Sequence, residues 1–141
     1  MSSVLATVIL PHRIRAQLAA EAQAAAPCEC CGLVEGTRAE NRFHVTALYP
    51  AHNLAKASDR FEIDPAAQFA LARRLRGTGR EIIGCYHSHP HGRADPSARD
   101  MEGAGEENFV WLIAADTLGA YLWTGKDFGP LAIAEPEPQA L

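Results

Sequence analysis

Apolar positions fall in short blocks between polar runs, and their spacing alternates between strand and helix periods. The run VLATVIL (4–10) is rich in β-branched residues and predicts a strand. Pro11 then suits the first turn of a helix, where its missing N–H is no loss. That helix runs through HRIRAQLAAEAQAAA, with Ile14, Leu18 and Ala22 four apart on one face, and Pro27 ends it. CCGLVEG and RFHVTALYP predict two strands joined by a turn around Gly36 and Thr37. A polar loop, AHNLAKASDR, and a short extended piece, FEI, follow. Asp64 fits an N-cap with Pro65 at the first helical position, opening PAAQFALARRLRGTG. Phe69, Leu71 and Leu75 are expected to face the core, and Gly77 to stop the helix. EIIGCYH (81–87) has the continuous apolar character of a central, buried strand. NFVWLIAAD, AYLWTG and GPLAIA predict three closing strands, with Trp111 and Trp123 in the core. Alternating strands and helices without repeats predict one α/β domain over residues 1–134, with a frayed tail at 135–141.

Composition narrows the classes. A chain of 141 residues with 48% hydrophobic and 21% charged residues is globular in character and long enough for one core. The formal net charge of −4 gives no footprint for nucleic acid. No apolar run approaches the roughly 20 residues that cross a membrane, and the N-terminus lacks the basic start of a signal peptide. Four cysteines (Cys28, Cys30, Cys31 and Cys85) in such a chain are expected as reduced thiols in the cytoplasm.

One stretch concentrates chemistry: YHSHPHGRADPSARD, residues 86–100. On a strand that continues to His89, side chains alternate faces, so Ile83, Cys85, His87 and His89 share one face while Tyr86 and Ser88 point the other way. Residues i and i+2 on a strand are about 7 Å apart, close enough for two imidazole tips to converge on one ion. Pro90 ends the strand. PSARD then supplies a helix start, with Ser97 near its N-terminus and Asp100 one turn along. Two imidazoles and a carboxylate, with a fourth position open, make the ligand pattern of a catalytic zinc. A hydrolytic site of that kind also needs a base for the attacking water. Glu29, in PCECCG at a strand start, and Glu35, six residues on, are the leading candidates upstream. At roughly 3.3 Å per residue they are ~20 Å apart, so they cannot serve one site, and spacing does not choose between them.

These residues carry a resemblance. A glutamate, then HSHP, then six residues and SARD is similar to the JAMM metalloprotease signature of the MPN-plus domain. PCECCGLVEG resembles the family's stretch bearing the catalytic glutamate, and FEIDPAAQF and GCYHSHPHG resemble the small stand-alone bacterial members. The resemblance spans about residues 4 to 125. It implies a cytidine-deaminase-like α/β fold, a mixed sheet flanked by helices with zinc at the sheet edge. Residue by residue, it implies His87, His89 and Asp100 as ligands of one zinc per chain. It selects Glu29 as the general base and implies Ser97 as the hydrogen-bond donor to the oxyanion. Ser88, facing away from the metal, reads as structural support.

The implied activity is hydrolysis of the amide bond after the C-terminal Gly-Gly of a ubiquitin-like or sulfur-carrier protein. The leaving group and the oligomeric state, a homodimer included, stay open. Two other functions compete. A metal-free scaffold of the same fold would lack the ligands, and all are present here. A DNA-associated relative with a similar histidine motif would need a basic stripe, and the chain has none. Among the cysteines, the Cys28–Cys31 C-x-x-C admits a redox or structural-zinc reading, and Cys85 beside His87 admits a thiol nucleophile. Burial as strand residues is the simpler expectation for both.

Overall fold

A computed structural model describes residues 6–55 and 60–138. Among these residues the order is β1 (Thr7–Ile9), α1 (His12–Ala25), β2 (Cys31–Ala39), β3 (Arg42–Ala51), α2 (Pro65–Leu75) and β4 (Glu81–Ser88). Then follow α3 (Ala98–Gly103), β5 (Phe109–Ala114), β6 (Leu118–Trp123), β7 (Phe128–Pro130) and β8 (Ala132–Ala134). The strands form one mixed sheet in the order β7-β6-β5-β4-β2-β3-β1-β8. The α/β class, with a mixed sheet flanked by helices, is therefore as the sequence predicts. Residues 4 and 5 of the first predicted strand, 56–59 of the polar loop and 139–141 of the tail lie outside the described residues.

Alternation along β2 sets the two layers. Val34 packs with Ile14 and Leu18 of α1, together with Tyr86, Val110 and Leu112. Its neighbour Leu33 points the opposite way and packs with Leu71 and Leu75 of α2. A further cluster on that second face joins Cys85, Trp111 and Trp123 to Phe61 and Ile63. Burying these side chains stabilises the fold by about 25 cal/mol for each Å2 of apolar surface removed from water. β4 lies at the centre, antiparallel to β2 and parallel to β5, and is buried from Ile83 to Ser88.

Four expectations need correction. The β2–β3 turn lies at Glu40 and Asn41, not at Gly36 and Thr37. Asn41 takes the left-handed conformation (φ 52), which asparagine tolerates. Gly36 lies inside β2 because the strands approach closely there: a Cβ would stand 2.1 Å from the His44 carbonyl oxygen. Phe69 is 75% exposed, whereas Leu71 and Leu75 are buried. Residues two apart on a helix lie about 200° around its axis, so Phe69 and Leu71 cannot share a face. GPLAIA is two strands, not one. β7 pairs with β6, Leu131 turns into the core, and β8 pairs with β1 at the opposite end of the sheet. This crossing nearly closes the sheet on itself. Finally, Ile83 does not share the face of Cys85. The β2–β4 register shifts between Val34 and Glu35, so Ile83 packs on the α1 side with Tyr86. A bulge adds one residue and inverts the alternation beyond it.

Candidate metal centre

The sheet register delivers the site. Cys31 pairs with His87 across β2 and β4. The antiparallel register runs on past the strand ends, because the Ser88 amide donates to the Cys30 carbonyl at 3.1 Å. Two residues before Cys31, Glu29 therefore overhangs the end of β4 beside His89, on the face that carries His87. The three meet at the strand ends of a central part of the sheet rather than along an outer strand. Glu29 and His87 are buried, at 6% and 0% exposure.

Asp100 arrives from the other side, on α3. That helix has only six residues, and its first turn is held by a reciprocal cap. Ser97 Oγ accepts the Asp100 amide at 3.1 Å, and Asp100 Oδ2 accepts the Ser97 amide at 2.9 Å. Ser97 itself is exposed. Its hydroxyl oxygen holds the helix turn, which leaves the proton to point outward.

The polar tips converge. His87 Nε2 and His89 Nε2 lie 3.0 Å apart, His87 Nε2 is 3.1 Å from Asp100 Oδ1, and His89 Nε2 is 3.1 Å from Asp100 Oδ2. Protons cannot satisfy this triangle well, since two ring nitrogens that both donate to the carboxylate must also face each other. A single cation can. Ligands at about 2.0 Å from a tetrahedral zinc stand about 3.3 Å from one another, close to the separations found. The residues present fit a zinc ion.

The surroundings favour ligation through Nε2. His89 Nδ1 donates to the Arg93 carbonyl at 2.7 Å, which fixes its tautomer with Nε2 as the acceptor. His87 is held by its ring, stacked on Phe61 (centroids 4.3 Å apart) and edge-on to Trp111 at 5.6 Å. Burial pushes His87 below the usual imidazole value, against the pull of Asp100, so the ring is neutral as a metal ligand must be. The Asp100 carboxylate beside Nε2 raises His89 by favouring the doubly protonated ring when no metal is bound, against partial burial. Burial alone would raise Asp100, but the two imidazoles outweigh it and keep the carboxyl well below the usual carboxylate range. The Glu29 carboxylate completes a wider group: one ligating atom each from Glu29, His87 and His89 lie within 4.8 Å of one another. Asp100 touches both imidazoles directly, so it belongs to the inner set and Glu29 stands beside it.

Comparison with known proteins identifies the architecture. The model of the prokaryotic homologues of the JAB domain matches residues 11–125. The chain belongs to this JAMM family. A desampylase of Haloferax volcanii is 35% identical over 112 residues, covering 77% of this chain and 78% of that protein. A desampylase of Pyrococcus furiosus is 31% identical over 108 residues, covering 76% and 73%. The solution structure of a protein from Desulfitobacterium hafniense superposes with a TM-score of 0.79 at 28% identity, covering 92% of this chain and 94% of that one.

Elsewhere in this JAMM domain the competing groups are placed apart from the histidines. Glu35 is buried in β2, where Thr46 Oγ1 and Tyr49 Oη (2.9 Å) donate to it and Arg80 Nε stands at 3.3 Å. Burial opposes its ionisation, but Thr46, Tyr49 and Arg80 outweigh burial and hold it below the usual carboxylate value. Its stabilising contribution is thus complete above the ordinary glutamate pKa and is lost as pH falls through the lower native one. Glu35→Gln should cost about 1–3 kcal/mol of stability at neutral pH. In urea titrations that gap should narrow below about pH 4. A gap that widens on acidification would contradict this role.

The thiols are unbridged; Cys28 is exposed ahead of β2, so the expected burial as a strand residue fails for it, while buried Cys31 and Cys85 are poorly suited to nucleophilic or redox work. Burial pushes Cys31 up to about 12 and Cys85 well above the usual thiol value. Cys31 and Cys85 are strand residues of the core. Ser88, expected as structural support, is buried and accepts the Cys30 amide on Oγ at 2.8 Å. Two participants have no signal in the sequence: Phe61, stacked on His87, and Asn53, whose amide joins the Glu29 segment to the loop beyond β3. Both sit in a polar, irregular stretch where no periodicity marks a residue. No described helix is long and apolar enough to cross a membrane.

Proposed function

We propose that this JAMM domain is a zinc-dependent isopeptidase that cuts the amide bond after the C-terminal Gly-Gly of a ubiquitin-like or sulfur-carrier protein. The observation that carries this reading is the triangle of His87, His89 and Asp100 with the buried Glu29 beside it. The likeness to desampylases supports the substrate class. In this reading His87, His89 and Asp100 hold one zinc per chain, which would supply the Lewis acidity that activates water and polarises the substrate carbonyl. Glu29 takes the proton of the attacking water and returns it to the leaving amine. Ser97 donates its hydroxyl proton to the oxygen that gains charge as the carbonyl becomes tetrahedral. Asp100 is kept in place by the same serine through the helix cap.

Two cavities flank these groups. One, of ≈ 440 Å3, lies between the 60–63 segment and α3, with Phe61, Cys85, Asp100 and Trp111 in its lining. It shares Gln68 and Glu106 with a larger groove of ≈ 730 Å3 beside the exposed Phe69. A slender tail in the first and the body of a small protein over the second fit this succession. The other cavity, also ≈ 440 Å3, is lined by Glu29, His89, Ser97, Arg93 and Asp95 among others, and suits the leaving group. A side chain next to the scissile carbonyl would crowd the ligands, which favours glycine there.

The test is a ubiquitin-like protein bearing a short C-terminal extension, with products weighed. Cleavage should occur immediately after Gly-Gly, stop with a chelator, and slow at least tenfold when the last glycine becomes valine. Scattered cutting of an unfolded protein, or equal cutting of the valine form, would point to a general peptidase instead. A purified protein that neither binds zinc nor hydrolyses the substrate would restore the metal-free scaffold reading.

A further inference from the structure

We infer that Asn53 is a positioning residue that, with Ser88, clamps the peptide group between Glu29 and Cys30 and so sets the direction of the Glu29 side chain. The inference rests on Glu29 acting as the base. That peptide group is held at both polar ends. Its carbonyl, on Glu29, accepts from Asn53 Nδ2 at 3.2 Å, and its N–H, on Cys30, donates to Ser88 Oγ at 2.8 Å. With both ends fixed the peptide plane cannot flip, and with the chain before it held by the Cys28 amide on the Ala25 carbonyl at 2.9 Å, rotation about the Glu29 Cα–C bond and the Cβ direction are constrained. Glu29 lies in the stretch between α1 and β2, and the last ladder bond, from the Ser88 amide to the Cys30 carbonyl, falls one peptide group further on.

Asn53 is suited to the task because its amide is fully used. Nδ2 also donates to the Arg60 carbonyl at 3.1 Å, and Oδ1 accepts the amides of Ala55 (2.9 Å) and Glu62 (3.0 Å). Two donors and two acceptor positions are the whole inventory of the side chain. Beyond it, Asn53 bridges to Ile63, and Leu54 N donates to the Glu62 carbonyl at 2.9 Å. The same residue thus ties the Glu29 peptide to the segment carrying Phe61, which stacks on His87. A base must sit within hydrogen-bond reach of its proton, and a 1 Å misplacement can cost about 10²-fold.

Asn53→Asp separates the roles, because it keeps the acceptor oxygen and removes both donors. Amide exchange on the zinc-loaded protein should show Cys30 exchanging at least tenfold faster in Asn53→Asp and in Asn53→Ala. The Glu62 amide should lose protection only in Asn53→Ala, and β4 and β5 should be unchanged in both. On the extended ubiquitin-like substrate, Asn53→Asp should lose at least tenfold in kcat with KM within threefold and zinc content unaltered. Combined with Glu29→Gln it should cost no further rate, as expected if it acts through Glu29. Unchanged exchange at Cys30 overturns the clamp whatever the activity. Unchanged kcat in Asn53→Asp, or a full further loss in the Glu29→Gln background, overturns its action on the base. A parent protein that cuts no such substrate defeats the proposed function, while Cys30 exchange still decides the clamp.

Discussion

Glu29→Gln should fold as the parent does, bind one zinc per chain and lose hydrolysis by about 10²–10⁴-fold, the range a placed proton acceptor contributes. The side chain keeps its size, and Asp100, not Glu29, makes the 3.1 Å contacts to both imidazoles. Only the proton acceptor is removed. Glu35→Gln is the matched control. Its carboxylate is engaged by Thr46, Tyr49 and Arg80, so its loss should weaken the fold and leave kcat within about twofold, a change under 0.5 kcal/mol in the barrier. Rates measured on both variants, with zinc determined by elemental analysis, distinguish the two carboxylates. An active Glu29→Gln beside an inactive Glu35→Gln would reverse the assignment.

His87→Ala/His89→Ala should lose nearly all bound zinc. Removing one outer partner of a metal ligand already weakens binding by about 10–100-fold, and here two ligands go. Asp100 would then keep only the Ser97 amide of its present partners, so the variant should also unfold at lower denaturant than the metal-free parent. Elemental analysis of the purified protein reads the first effect and a urea titration the second. Full zinc content in the double variant would move the metal to the cysteines, of which Cys31 and Cys85 are buried. Asp100→Ala should fall between parent and double variant, because it removes one ligand and leaves the imidazoles in place.

Much of this was legible in the chain because it is local. Asp64 before Pro65 opens α2, and its side chain accepts the Ala66 amide at 2.9 Å as an N-cap should. The i, i+2 spacing of His87 and His89 and the Ser97–Asp100 step bring their own geometry, since each rests on one strand end or one helix turn. Two of the misreadings span more than one element. The bulge that turns Ile83 to the α1 side exists only in the pairing of β2 with β4. The division of GPLAIA follows from two partners, β6 and β1, at opposite ends of the sheet.

Spacing along the chain could not choose between Glu29 and Glu35, which resemble each other as single residues near one strand. Tertiary structure separates them by their company. Cross-strand neighbours Thr46 and Tyr49 take up Glu35, while the register of Cys31 against His87 carries Glu29 out over the histidines. Sequence by itself put His87 and His89 within reach of one point, because the spacing of alternate residues at a strand end is set by backbone geometry. The resemblance pointed to Glu29, and only the fold shows its carboxylate beside the two histidines and Asn53 on its backbone carbonyl. Those placements depend on contacts between residues 24 and 58 positions apart, which leave no period in the chain.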